Sequence, residues 1–155
     1  MMTNLCYEVL HALQGRTLVT AESCTGGGIG AALTAIPGSS SVYKGGIISY
    51  TNQVKHALLN VDTVLLERDG AVSASVAQAM ALGARNALSA DVAVSVTGLA
   101  GPGGDDFGNP VGTVFIGFSD HTRTISGEYH FSGDRENVRN QSIRAALLLI
   151  LECVQ

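Results

Sequence analysis

Tryptophan is absent from this chain, lysine occurs only at Lys44 and Lys55, and cysteine and proline number three each. Charged residues make up only 14%, and the net charge of −4 leaves no broad basic footprint for nucleic acid. Cys6, Cys24 and Cys153 are odd in number and show no metal-ligand spacing, which predicts free thiols in a reducing compartment. The longest apolar run, Ala145 to Leu151, falls far short of a membrane span. Met1 to Arg16 carries polar residues throughout and lacks the apolar segment of a signal peptide. A soluble cytoplasmic protein is expected.

What the chain has is apolar content, 46% of its 155 residues, together with 19 glycines. A chain of this length buries about two-thirds of its unfolded surface, enough for one domain over residues 1–155. Leu5, Val9, Ala12 and Leu13 have helical spacing, and Thr17 to Ala21 reads as a strand. Thr25 is a candidate cap for a small-residue helix that stops at Pro37-Gly38. A second strand is expected at Gly46 to Tyr50 and a short helix at Asn52 to Leu59. Ser73 caps a long helix, Asp91 to Val96 is a strand, and a glycine-rich stretch runs from Gly98 to Gly112. Thr113 to Phe118 and Thr124 to Phe131 form an antiparallel pair before a last helix capped by Asp134. The pattern predicts a three-layer α/β/α domain with a mixed, mostly parallel sheet. The end of the last helix, Leu147 to Leu151, is apolar all round and must be covered by the core or by another copy, so a homo-oligomer is expected.

The stretch TAESCTGGGIG, Thr20 to Gly30, is where chemistry concentrates. Gly26, Gly28 and Ala31 match a dinucleotide fingerprint, but no acidic residue stands about 20 positions on to hold a ribose. A hydrolase elbow needs glycines where Ala21 and Thr25 stand. A serine ahead of a helix still meets unpaired N–H groups, so the amides of Cys24, Thr25, Gly26 and Gly27 are candidate oxyanion donors for Ser23. Otherwise Ser23 simply caps the helix. Cys24 is the rival nucleophile, since a helix N-terminus lowers a thiol's pKa. None of the four histidines identifies itself as a base. Ser41 and Lys44 form an S-x-x-K match without its companion motifs. Lys55 is an ordinary helix lysine unless an apolar pocket removes its charge.

Seven segments, in order, carry a resemblance: TAESCTGG (20–27), IPGSSSVY (36–43), ISYTNQVK (48–55), GAVS (70–73), VTGLAGPGG (96–104), NPVGTVFIGF (109–118) and FSGDRENVR (131–139). The chain resembles the CinA C-terminal domain family, the nicotinamide-nucleotide amidases or NMN deamidases. The resemblance implies serine-based hydrolysis of the carboxamide of nicotinamide mononucleotide, which needs no cofactor and no metal, and none is expected. It implies Ser23 as nucleophile, Lys55 as base and Tyr50 in relay or orientation.

The substrate's own needs suggest the rest of the site. A 5′-phosphate calls for Arg135 or Arg139, with Ser39 and Ser40 as further donors. The loop holding Thr97, Gly98, Ala100 and Gly101 follows a buried strand, the usual place for a ligand. Asp105 and Asp106 read as solvated loop acids. One departure is Lys44-Gly45-Gly46, where family members carry an acidic residue and an arginine. The chain also lacks the N-terminal domain of longer members, which predicts a stand-alone amidase. Two alternatives remain: a pyridine-nucleotide binder without catalysis, and an amidase for another amide such as free nicotinamide.

Overall fold

In the computed structural model, which describes residues 1–155, helices and strands alternate through most of the chain. They are α1 (Met2–Ala12), β1 (Leu18–Glu22), α2 (Gly28–Thr34), a 3-10 turn (Ser39–Ser41), β2 (Tyr43–Ile48), α3 (Asn52–Leu59), α4 (Thr63–Asp69), α5 (Ala74–Ala87), β3 (Val92–Gly98), β4 (Thr113–Ser119), β5 (Thr124–His130) and α6 (Arg135–Val154). The sheet order is β2-β1-β3-β4-β5. β2, β1 and β3 are parallel, β4 runs against β3, and β5 runs against β4. The sheet is therefore mixed, with every strand but β4 pointing one way.

β1 is buried along its whole length because its two faces feed two cores. Leu18 joins the core made with α1, α2 and α6, while Val19 and Ala21 join the one made with α3, α4 and α5. β3 divides in the same way, Val92, Val94 and Val96 to the first and Ala93 to the second. Helices thus cover both faces of the sheet, as the sequence predicts. α5 lies close because β4 presents Gly117, where any Cβ would meet the carbonyl of Ala77.

The caps at Ser73 and Asp134 form as expected, accepting from Val76 N (3.4 Å) and Asn137 N (2.9 Å). Thr25 does not cap α2. The capping position is Gly27, without a side-chain bond, and the Thr25 hydroxyl turns back to Glu22 instead. α4, capped by Asp62, has no counterpart in the sequence-based expectation, and β2 starts three residues earlier than expected. The apolar end of α6 is covered within the chain, packed on α1, α2 and the sheet; only Leu148 remains exposed. The feature that predicted a second copy is thus explained by the chain's own core. No helix is long and apolar enough to cross a membrane.

Register positions the site. Glu22, the last residue of β1, pairs with Ile48 of β2 and Val96 of β3. Ser23 and Ser49-Tyr50, just past β1 and β2, and Thr97-Gly98, the last residues of β3, lie together at the carboxyl ends of three parallel strands, where open α/β sheets bind ligands.

Candidate active site

A cleft of about 550 Å³ opens at that edge, with Ser23, Lys55, Tyr50 and Arg135 in its lining. Ser23 sits in the turn between β1 and α2, its N–H bonded to Val96 O (3.0 Å). Lys55 projects from α3, which starts where Thr51 accepts from Val54 N. Its side chain runs inward and is 1% exposed, so the surface reading of this lysine does not hold.

Lys55 Nζ lies 3.0 Å from Ser23 Oγ and donates to the carbonyls of Ser49 (2.8 Å) and Tyr50 (3.2 Å). No carboxylate neutralises it. Burial lowers its pKa from 10.5 to about 8, against a small opposing influence from Cys24. The carbonyls can only accept, so a neutral amine keeps its two N–H bonds on them. Its lone pair is then left toward Ser23 Oγ, the arrangement a general base needs.

Cys24 is placed otherwise. Its thiol is buried, and desolvation raises its pKa from 9.0 to about 11, outweighing its own amide and the charges of Lys55, Arg139 and Arg135. Such a thiol stays protonated at neutral pH and is a poor nucleophile. Burial thus counts against Cys24, the rival that the sequence leaves open beside Ser23.

Glu22, which sequence analysis does not single out, organises the turn from below. It is 2% exposed, and its Oε1 accepts from Thr25 Oγ1 (2.8 Å) and Ile29 N (2.8 Å). Its Oε2 accepts from Gly30 N (3.0 Å) and Thr20 Oγ1 (3.2 Å), and Thr20 in turn bonds the Tyr43 phenol (2.8 Å). The amides of α2 are therefore directed at Glu22 rather than at Ser23. The one local signal was a charged residue ending a strand that is otherwise apolar or hydroxyl-bearing.

The expected oxyanion donors divide. Gly26 N is bonded to Ser23 O (3.0 Å) within the turn, and Thr25 is fully buried. Cys24 alone of the four lines the cleft, and its N–H donates to no other residue. Thr25, Gly26 and Gly27 build the turn without facing the cavity, because the chain there bends towards α2 and α6.

The two arginines also part. Arg135 lines the cleft, donating to Gly101 O (2.7 Å) and to the Tyr50 hydroxyl (3.1 Å). Arg139, one helical turn on, is absent from the lining and donates instead to Cys24 O (3.0 Å) and Thr25 O (3.2 Å). Tyr50 gives the Ser23–Lys55 pair its main-chain carbonyl, while its phenol meets Arg135, so a phenolic relay is not what this geometry provides.

Thr97, Gly98, Ala100 and Gly101 line the cleft as expected. Ser39 and Ser40 do not. They precede β2 and therefore lie at the amino ends of the parallel strands, away from the cavity. The Lys44-Gly45-Gly46 departure also lies outside it, with Lys44 Nζ donating to Ser89 O (3.3 Å).

Asp105 is more than a solvated loop acid. Its Oδ1 accepts from Phe107 N (3.1 Å) and Asn109 N (3.0 Å), its Oδ2 from Asn109 Nδ2 (2.7 Å). Burial opposes its charge, but these bonds prevail and hold its pKa below the usual carboxylate value. The braced loop presents Phe107 to the cleft, backed by Gly70, where a Cβ would stand 2.6 Å from the ring. With Ala71, Val72 and Leu99 the ring makes an apolar wall.

Fold and site together define an α/β protein with a buried serine–lysine pair in a cleft at the carboxyl ends of its parallel strands. The chain belongs to the CinA C-terminal domain family, which it matches over residues 2–154. It is 52% identical over 130 residues to a CinA-like protein of Thermosynechococcus vestitus, covering 82% of this chain and 31% of that protein. It is 49% identical over 151 residues to a CinA-like protein of Synechococcus sp. (strain RCC307), covering 95% of this chain and 36% of that one. The chain spans about a third of the length of these curated relatives. Among solved structures, it matches the competence damage-inducible protein A (ComA) from Klebsiella pneumoniae with a TM-score of 0.95 at 36% identity, covering 97% of this chain and 95% of that one. A CinA superfamily protein from Escherichia coli matches with a TM-score of 0.94 at 38% identity, covering 97% of this chain and 90% of the other.

Proposed function

We propose that this chain hydrolyses the carboxamide of nicotinamide mononucleotide to nicotinate mononucleotide and ammonia, a step in pyridine-nucleotide recycling. The observation that carries the reading is the buried Lys55 amine, 3.0 Å from Ser23 Oγ, with no carboxylate partner.

Neutral Lys55 takes the Ser23 proton as Oγ bonds to the amide carbon, and the carbonyl becomes an oxyanion beside the Cys24 N–H. The lysinium then protonates the departing nitrogen, the C–N bond breaks, and ammonia leaves an acyl-serine ester. A water molecule, deprotonated by the same lysine, attacks that ester. The Oγ–carbon bond breaks, the proton returns to Ser23, and the carboxylic acid is released. The pyridine ring rests on the wall of Ala71, Val72, Leu99 and Phe107, and Arg135 at the cleft's rim meets the phosphate.

Ammonia release from nicotinamide mononucleotide tests this directly. The native protein releases it, and Ser23→Ala loses it by on the order of 10⁴-fold or more while still binding the nucleotide. Absence of release from a folded native protein would sink the reading. Arg135→Ala tells the phosphorylated substrate from free nicotinamide, since it raises KM only for the former.

A further inference from the structure

Ser23 stands in the glycine turn between β1 and α2. Gly26 and Gly27 both take positive φ, 58° and 96°, a conformation glycine adopts at the cost of greater backbone freedom in the unfolded chain. The amides of Ile29 and Gly30 are committed to Glu22; Gly28 N reaches Thr25 O (2.9 Å), and no main-chain amide reaches Cys24 O. One side chain from the far end of the chain supplies the donor that Cys24 O otherwise lacks and a second donor to Thr25 O. Arg139 Nε donates to Cys24 O and Nη2 to Thr25 O. The same guanidinium lies against the next residue, where a Cβ on Gly26 would stand 3.7 Å from Nη2.

We propose that Arg139 is a positioning residue for Ser23. From α6 its planar fork locks two successive carbonyls of the turn and so sets the direction in which the serine hydroxyl meets Lys55 and the substrate. This rests on Ser23 being the nucleophile of the reading above, and it gives Arg139 a task other than holding phosphate. The fork matters as well as the charge. Two donors in one plane fix the turn's orientation, which a single ammonium cannot do. The charge adds to this, because the Cys24 thiol already lies in the positive field of Lys55, Arg139 and Arg135, and an oxyanion formed beside it would lie there too. Arg135, four residues earlier on α6, ties Gly101 and Tyr50 into the same frame. One turn of α6 therefore gathers three strand ends around the cleft.

The test measures how fast a fluorophosphonate labels Ser23, alongside ammonia release and the melting temperature. Arg139→Ala slows labelling by about 100-fold, the effect of misplacing a reacting atom by about an ångström, and leaves KM for nicotinamide mononucleotide unchanged. Added guanidinium recovers about 10-fold of the loss by re-forming a charge-assisted bond. Arg139→Gln, with donors but no charge, is slowed less than the alanine variant and carries the comparison if that variant does not fold. Unchanged labelling with a raised KM would make Arg139 a phosphate clamp and overturn the proposal. A loss that guanidinium does not reverse, and that Arg139→Lys and Arg139→Gln share in full, would reduce Arg139 to a structural role and overturn it too. The label needs no amide, so failure to release ammonia would end the amidase reading and leave this test standing.

Discussion

Lys55 Nζ and Ser23 Oγ lie 3.0 Å apart although 32 residues separate them in the chain, and the lysine has no acidic partner. An amine buried with two carbonyls and a hydroxyl is a base whose strength the fold has lowered towards neutrality. Consequences follow for pH, for the turn that holds the serine and for the cysteine beside it.

The pH dependence has a defined direction. Burial lowers the Lys55 pKa to about 8, so the neutral, proton-accepting form grows tenfold per pH unit below that value. Under saturating nicotinamide mononucleotide, kcat rises with unit slope up to about pH 8 and is level above it. A flat profile with chemistry rate-limiting would exclude Lys55 as the base. Stability moves the same way: the unfolded chain, with a lysine pKa of 10.5, binds the extra proton between about 8 and 10.5. The Lys55 contribution to ΔG of unfolding therefore rises across that window, and Lys55→Met removes this part of the slope.

Glu22→Gln tests the support beneath the turn. The carboxylate accepts four bonds, and an amide in its place turns an acceptor into a donor facing Ile29 N or Gly30 N. A buried donor left unpaired costs about 1–3 kcal/mol, so denaturant midpoints fall correspondingly. Glu22→Ala falls further because it also leaves a cavity. Unaltered midpoints in both would show that the α2 amides find other partners.

Cys24→Ala retains ammonia release within about threefold, since the thiol, with a pKa raised to about 11, is protonated throughout the working range. The native protein resists iodoacetamide at Cys24 at pH 7.5 for the same reason. Loss of activity in a folded alanine variant would reopen the thiol as nucleophile.

Much of the fold was legible along the chain. The Ser73 and Asp134 caps, the apolar strand through Val92 to Val96 and the late antiparallel pair are short-range features that the structure contains. Thr25 does not cap because its hydroxyl donates to the Glu22 carboxylate, which also accepts from the α2 amides that the threonine was expected to cap. α4 escaped notice because residues 60–72 lack a long periodic pattern. At the site, Ser23 stood out through its glycines, whereas Arg135 and Arg139 could not be told apart, being identical side chains one helical turn apart.

The sequence by itself determined the alternation of strands and helices, the caps and the glycine turn, because hydrogen-bonding periods and backbone preferences act over a few residues. Only the tertiary structure decided that Lys55 is buried, that the Cys24 thiol is desolvated, that Glu22 takes the amides of α2, and that Arg139 faces the turn rather than the cleft. Desolvation and the direction of a side chain depend on what surrounds a residue in space. Here the surroundings come from segments as far apart as Cys24 and Arg139, which β1 and α6 bring into contact.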